Sequence, residues 1–192
     1  VRDAAMGLAP HDWDLASSAP PEAVIAAFPG CSVNRMGMRH GTVGVLLDGQ
    51  MLEITTFRRE GSYSDFRHPD GVTFTGSLRE DLSRRDFTVN AMALHPSLGF
   101  YDPFGGLSDL KERRLRAVGS PVERMQEDPL RILRGLRFIA RLGLAPDRET
   151  AAAFRSCCPM LGRISRERVY AELTGMLCGG KVLGALLGFP GV

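Results

Sequence analysis

The stretch Gly41-Thr-Val-Gly-Val-Leu-Leu-Asp-Gly-Gln-Met-Leu-Glu-Ile-Thr-Thr-Phe57 reads as two strands folded back about Asp48-Gly49. β-Branched residues dominate both arms, and Asp-Gly between alternating apolar runs is a strong short-range hairpin signal. In the second arm Leu52 and Ile54 alternate with Glu53, which places Glu53 on the opposite face of the strand. On the N-terminal side, Pro-Glu-Ala-Val-Ile-Ala-Ala-Phe up to Phe28 is expected to be a short helix opened by proline. On the C-terminal side, Arg58 to Ser77 is polar and carries Gly61, Gly71 and Gly76, so it is expected to be a long loop interrupted by one short strand.

Past Gly105-Gly106 the apolar period changes from that of strands to that of helices. Leu130, Leu133, Leu136 and Ala140, with Ile132 and Ile139 nearby, mark a helix from Asp128 to about Leu142, stopped by Gly143. A second helix is expected over Asp147 to Cys157 and a third over Arg166 to Leu177. The expected architecture is therefore a small mixed α/β domain over residues 1–105 and an all-helical domain over residues 106–192.

Composition narrows the function classes. The 192 residues are 44% hydrophobic and 24% charged with a formal net charge of +2, so any surface for nucleic acid must be local rather than global. No apolar run has membrane-spanning length, and no signal peptide is expected. Cys31, Cys157, Cys158 and Cys178 lack C-x-x-C spacing and are expected to be reduced thiols of a cytoplasmic protein. Val1 is not an initiator Met, and the sequence is expected to start inside a longer protein.

The first chemically pointed feature is His11-Asp12-Trp13-Asp14-Leu15. On a strand, residues two apart share a face, so Asp12 and Asp14 aim at one point. Two converging carboxylates repel unless a divalent cation sits between them. Mg2+ suits such a site because it accepts few carboxylates and fills its shell with water and phosphate oxygens. Glu53, on a neighbouring strand, is a candidate third acid. Taken alone, a D-x-D pair is equally at home in a solvated turn or a helix cap, and Glu53 in an exposed strand position. Farther on, Arg131, Arg134 and Arg137 recur every third residue and form a basic stripe, readable either as a phosphate-lining face or as a solvated one.

Several segments together resemble one known family. Val1-Arg2-Asp3, Asp12-x-Asp14, Arg84-Arg85-Asp86-Phe-Thr-Val-Asn90-Ala-Met92, Asp102-Pro-Phe-Gly-Gly106, Glu127-Asp128-Pro-Leu-Arg131 and Ile164-Ser-Arg-Glu-Arg-Val-Tyr-Ala-Glu172 occur in the order seen in class II CCA-adding enzymes and bacterial poly(A) polymerases. The resemblance spans essentially the whole chain. It implies a polymerase-beta-like nucleotidyltransferase head followed by a helical neck.

It also implies template-independent addition of CMP and AMP to the tRNA 3′ end from CTP and ATP. In such enzymes the D-x-D pair, here Asp12 and Asp14 with Glu53 beside them, binds two Mg2+ ions. The resemblance makes Asp128 and Arg131 the base selectors. A carboxylate accepts from the amine that cytosine and adenine share, and a guanidinium donates to ring acceptors. Arg2, Arg85, Asp86, Asn90, Arg134 and Arg137 are then expected around the nucleotide, with Arg85 at the phosphates and Asp86 and Asn90 at the ribose. Arg84 is expected to pair structurally.

The family's Gly-Gly before Val-Arg-Asp is not in this sequence, and its body and tail domains are expected to lie beyond it. Arg58 to Asp70, with Tyr63, Asp65 and His68, resembles the flexible loop of complete CCA-adding enzymes, and Met36-Gly-Met-Arg-His-Gly-Thr-Val43 also favours that group. An A-adding enzyme or poly(A) polymerase shares every catalytic motif and is the nearest alternative. A non-catalytic RNA-binding module is the alternative from another class. No partner is evident for His11 or His95.

Overall fold

The computed structural model describes residues 1–10, 13–61, 71–178 and 187–188. The chain begins with a single helical turn, α1 (Arg2–Ala5), followed by β1 (Asp14–Ser17) and α2 (Pro21–Ala27). Pro21 occupies the first turn of α2, where a missing N–H costs nothing. β2 (Ser32–Asn34), β3 (Thr42–Leu47) and β4 (Gln50–Thr56) complete a mixed four-stranded sheet in the order β1-β4-β3-β2.

The expected hairpin is β3–β4. Asp48 and Gly49 both take positive φ, 49° and 79°, the primed turn geometry that follows the twist of the flanking strands. β1 pairs with the other edge of β4 in parallel, and β2 pairs antiparallel with β3. Val43, Val45 and Ile54 point to one face and pack with Val24 of α2. Glu53 lies on the other face and is exposed, as the alternation requires.

The polar stretch after the sheet holds more strand than expected. β5 (Arg58–Glu60) pairs antiparallel with β6 (Val72–Phe74), so the segment contains a two-stranded ribbon rather than one short strand. The ribbon closes because Gly61 donates its N–H to the Gly71 carbonyl at 2.9 Å, an approach that two glycines permit. Tyr63, Asp65 and His68 lie outside the described residues.

α3 (Leu78–Ser83) starts on Ser77, whose hydroxyl accepts from the Glu80 N–H. The Arg84–Met92 motif follows as an irregular segment with a 3₁₀ turn over Thr88–Asn90, and then β7 (Ala93–His95) pairs with β8 (Gly99–Tyr101). Asp102 explains its own motif: its two carboxylate oxygens accept the N–H groups of Gly106 at 2.8 Å and Leu107 at 2.9 Å, capping α4 (Gly106–Lys111).

The remaining elements are β9 (Arg114–Leu115), α5 (Pro121–Glu127), α6 (Leu130–Leu142), β10 (Ala145–Pro146), α7 (Arg148–Cys157) and α8 (Arg166–Leu177). The three helices expected from the sequence are α6, α7 and α8. Gly143 ends α6 at φ 66°, and Asp147 caps α7 by accepting from the Thr150 N–H at 2.8 Å. The segment is not wholly helical, however. β9 and β10 pair in parallel, because the chain leaving α6 satisfies its backbone donors on the Arg113 and Leu115 carbonyls. Among the described residues no helix is long and apolar enough to cross a membrane.

The main core runs continuously across Gly105-Gly106. Phe87, Val89 and Met92 join Leu115, Met125, Ile132, Leu136, Phe138 and Phe154 in one buried cluster. α6 lies at its centre and is buried on most of its circumference. Gly135 makes that possible, since a Cβ there would stand 2.3 Å from Phe154 Cζ and 3.0 Å from Phe87 Cζ. Gly135→Ala is expected to destabilise the fold by about 1–3 kcal/mol through overpacking, despite the better helix propensity of alanine. A denaturant midpoint equal to or above that of the unaltered protein would contradict this packing account.

Candidate active site

The exposed face of the sheet carries a carboxylate ledge. In the parallel β1–β4 register Asp14 stands directly beside Glu53, and register partners in a sheet share a face. The row continues through Gly44 of β3 to Asn34 of β2. Gly44 puts no side chain between Glu53 and Asn34, and a Cβ there would meet Met51 Sδ at 3.0 Å.

Among the described residues no hydrogen bond or ion pair engages either carboxylate. Two adjacent hard-oxygen donors free of any cationic partner fit a divalent ion such as Mg2+. Asp12 and His11 lie outside the described residues, and within those described no trio of His, Cys, Asp or Glu gathers at metal-binding spacing.

A second assembly forms around Asp86. This carboxylate is buried, and each oxygen is used. Oδ1 accepts from the Phe87 N–H at 2.8 Å and from Asn90 Nδ2 at 2.9 Å. Oδ2 receives both Nε and a terminal nitrogen of Arg134, at 2.9 and 2.7 Å, a forked pair. Burial alone would raise the Asp86 pKa. The Arg134 charge together with the bonds from Asn90, Arg134 and Phe87 outweighs it and holds the group below the ordinary carboxylate value. Arg134 is held correspondingly above its ordinary value, burial being outweighed by Asp86 and, secondarily, by Glu172.

The network extends in two directions. Arg2 donates to Asn90 Oδ1 at 2.8 Å, bringing the N-terminal turn onto the Arg84–Met92 motif. Arg137 donates Nε to Glu172 Oε2 at 2.6 Å, tying α6 to α8, and a Cβ on Gly175 would collide with the Arg137 stem at 2.7 Å. Arg85 is tethered more loosely, with a terminal nitrogen 3.4 Å from the Asn90 carbonyl and another 3.7 Å from Asp81. Its Nε is buried with no hydrogen-bond partner among the described residues. Arg84 makes the structural pair, 2.9 Å from Asp81.

Asp128 and Arg131 sit at the junction of α5 and α6. Asp128 accepts from the Leu130 N–H at 3.1 Å through one oxygen and from Arg168 at 2.7 Å through the other. Helix capping and an ion pair thus coexist on one carboxylate. Arg131 is buried rather than part of a solvated stripe. It donates to Glu127 at 2.5 Å and to the Arg124 and Arg84 carbonyls at 2.9 and 3.3 Å. Arg134 and Arg137 are half-buried, so the arginine stripe of α6 is held against protein rather than lying fully in bulk water.

The structure therefore brings Arg2, Asp86, Asn90, Arg134 and, through Glu172, Arg137 into one network, and places Asp14 beside Glu53. Among the described residues no ion pair or hydrogen bond joins the two groups. Arg168 and Glu172 join the site only in the fold. Their four-residue spacing on one predicted helix was the available signal, because it puts both on one face. His95 also needs correction: its Nδ1 accepts the N–H groups of Ser97 and Leu98, each at 3.1 Å, and closes the β7–β8 turn. Cys31, Cys157, Cys158 and Cys178 form no disulfide with one another.

Residues 1–116 match the family described as "Poly A polymerase head domain", and residues 143–186 match "Probable RNA and SrmB- binding site of polymerase A". The chain is 47% identical over 189 residues to the CCA-adding enzyme of Enterococcus faecalis, covering 98% of this chain and 46% of that protein. The crystal structure of the Bacillus stearothermophilus CCA-adding enzyme in complex with CTP superposes with a TM-score of 0.87 at 40% identity, covering 97% of this chain and 45% of the other. A tRNA nucleotidyltransferase complexed with a primer tRNA and an incoming ATP analog superposes at 0.71 with 31% identity, covering 97% and 53%. The chain thus spans about half the length of the proteins it matches.

The Asp86 geometry makes a prediction about stability. Removing one partner of a buried ion pair costs about 3–5 kcal/mol, and the partial exposure of Arg134 reduces the figure expected for Asp86→Ala to about 2–3 kcal/mol. Because the folded pKa lies below the unfolded value of about 4, the contribution is complete above that value. It declines as pH falls through the folded pKa. Urea denaturation of wild type and variant should show a gap that is constant near neutrality and narrows in acid; a gap that widens in acid would contradict the assignment.

Proposed function

Since this chain belongs to the poly A polymerase head-domain family, we propose that it is the catalytic portion of an enzyme that adds CMP and AMP to tRNA 3′ ends from CTP and ATP. One observation carries the reading: motifs far apart in the chain converge on an exposed acid pair and on a buried arginine–carboxylate network, in a fold similar to that of a CTP-bound CCA-adding enzyme. In this reading residues 1–105 form the head and residues 106–192 the base-selecting neck.

Asp12 and Asp14, with Glu53 adjacent to Asp14 in the sheet, would hold Mg2+. Bound there, the metal supplies charge neutralisation and activation of the attacking hydroxyl. The chain's own residues do the rest. Arg2, Arg85, Arg134 and Arg137 present guanidinium donors suited to phosphate oxygens. Asp86 holds Arg134 in place and keeps Asn90 oriented towards Arg2 and the ribose.

Asp128 can distinguish bases by accepting from the exocyclic amine of cytosine or adenine. Uracil and guanine offer a carbonyl at that position and leave the carboxylate unpaired. Arg168 keeps the Asp128 carboxylate oriented, and Glu127 does the same for the Arg131 guanidinium. The four cysteines, none of them in a disulfide, suit a reducing, cytoplasmic compartment.

The deciding experiment incubates the whole protein, carrying this chain, with tRNA lacking its CCA end and each labelled nucleotide, and sequences the 3′ ends. CCA ends are expected. Runs of A, or a single A added only to tRNA already ending in CC, would reassign the enzyme to poly(A) synthesis or A addition. Asp14→Ala should reduce incorporation on the order of 10³-fold, the several kcal/mol that a metal supplies to such a transition state, with the thermal midpoint unchanged. Undiminished incorporation would remove Asp14 from the reaction. Asp128→Ala should erode discrimination of CTP against UTP by about 10- to 100-fold, and intact selectivity in that variant would refute its selecting role.

A further inference from the structure

Three of the four guanidinium–ring contacts among the described residues converge on a single side chain, Phe138. Arg137 lies 4.7 Å from its centroid, Arg2 5.0 Å and Arg134 6.0 Å. The ring is 3% exposed and is anchored from behind by an edge-to-face contact with Phe87, 5.9 Å between centroids at 89°. Phe87 directly follows Asp86, so the ring is fixed by the same segment that fixes Arg134. Arg2 reaches the ring from the N-terminal turn α1.

Each of these arginines is held twice, once by an acid or amide and once by the ring. Arg2 has Asp3 and Asn90, Arg134 has Asp86, and Arg137 has Glu172. Their side chains nevertheless retain 23%, 37% and 19% exposure, so donor groups remain accessible to a ligand. Three like charges converging on one ring repel one another. An aromatic quadrupole draws them together without consuming their N–H groups, which an additional carboxylate would do.

We propose that Phe138 is a positioning residue for nucleotide binding: its ring gathers Arg2, Arg134 and Arg137 into a preformed receptor for the phosphates of the incoming nucleoside triphosphate. This inference rests on the nucleotide-transfer reading above. It extends that reading by giving a role to a buried apolar residue that does not itself touch the nucleotide. The consequence is a split between packing and binding. A leucine or methionine fills much of the volume and retains apolar burial but has no quadrupole, whereas tyrosine retains the ring.

The test measures equilibrium binding of CTP and of ATP to the whole protein, together with KM, kcat and the thermal midpoint, for wild type, Phe138→Leu, Phe138→Met and Phe138→Tyr. Leucine and methionine are expected to weaken binding and raise KM by about three- to tenfold with kcat largely kept, and tyrosine to restore binding. Equal affinity in wild type and in a folded leucine or methionine variant would overturn the proposal, leaving the nucleotide-transfer reading intact. Failure of wild type to bind either nucleotide would bring down both.

A measurement on the unaltered protein is independent of how the variants fold. The Nε–H resonances of Arg2, Arg134 and Arg137 should carry ring-current shifts and should move together on addition of CTP. Saturating CTP that leaves them in place would overturn the proposal even if every variant unfolded.

Discussion

Asp86 and Arg134 form the contact through which the structure is organised. A carboxylate removed from water requires compensation on both oxygens, and here a forked guanidinium takes one while an amide side chain and a backbone N–H take the other. Those demands tie the Arg84–Met92 segment to α6, orient Asn90, and through Asn90 bring Arg2 down onto the same surface. A neutral side chain at position 86 would leave Arg134 half-buried with Glu172, 3.8 Å away, as its remaining ion-pair partner among the described residues, too loose a contact to fix it. The same residues thus close the core and shape the site.

α6 is the element on which the two demands meet. Its apolar residues pack into the largest core cluster while its arginines reach the network, and Gly135 lets the aromatic rings of Phe87 and Phe154 approach its backbone. An amphipathic helix with one wet face would have left the arginine stripe in solvent, where each charge is screened and mobile. Enclosing the helix against α8 and the Arg84–Met92 segment converts the stripe into fixed charges with defined partners. Preorganised charge of this kind is what phosphate recognition requires, because the protein need not reorganise when the ligand arrives.

The acid ledge works by the opposite logic. Asp14 and Glu53 are exposed and lack partners among the described residues, held together only by strand register. Parallel pairing of β1 with β4 sets that register, and Gly44 keeps the adjoining position small. Carboxylates kept adjacent but unneutralised retain their affinity for a cation, whereas ion pairing of the Asp86 kind would have quenched it.

Local chemistry in the sequence determined the β3–β4 hairpin, the three long helices and the outward placement of Glu53. Asp48-Gly49 admits the primed turn, Gly143 and Asp147 stop and start helices, and alternation sorts the faces of a strand without reference to the rest of the chain. The motif residues were legible too, including the acid pair with which a cation could be expected. Tertiary structure alone decided the β5–β6 ribbon, the short β9–β10 pairing and the partners of Arg2, Arg131, Arg134, Arg137 and Arg168. From periodicity alone the Arg131 stripe is readable as a phosphate-lining or a solvated face; only the fold shows Glu127 and two backbone carbonyls enclosing Arg131. Arg168 reaches Asp128 across forty positions, and Phe138 gathers guanidinium groups from the N-terminal turn and from α6. Periodicity records which face of a helix is buried, but which charge meets which is set by long-range packing, and that depends on all the elements at once.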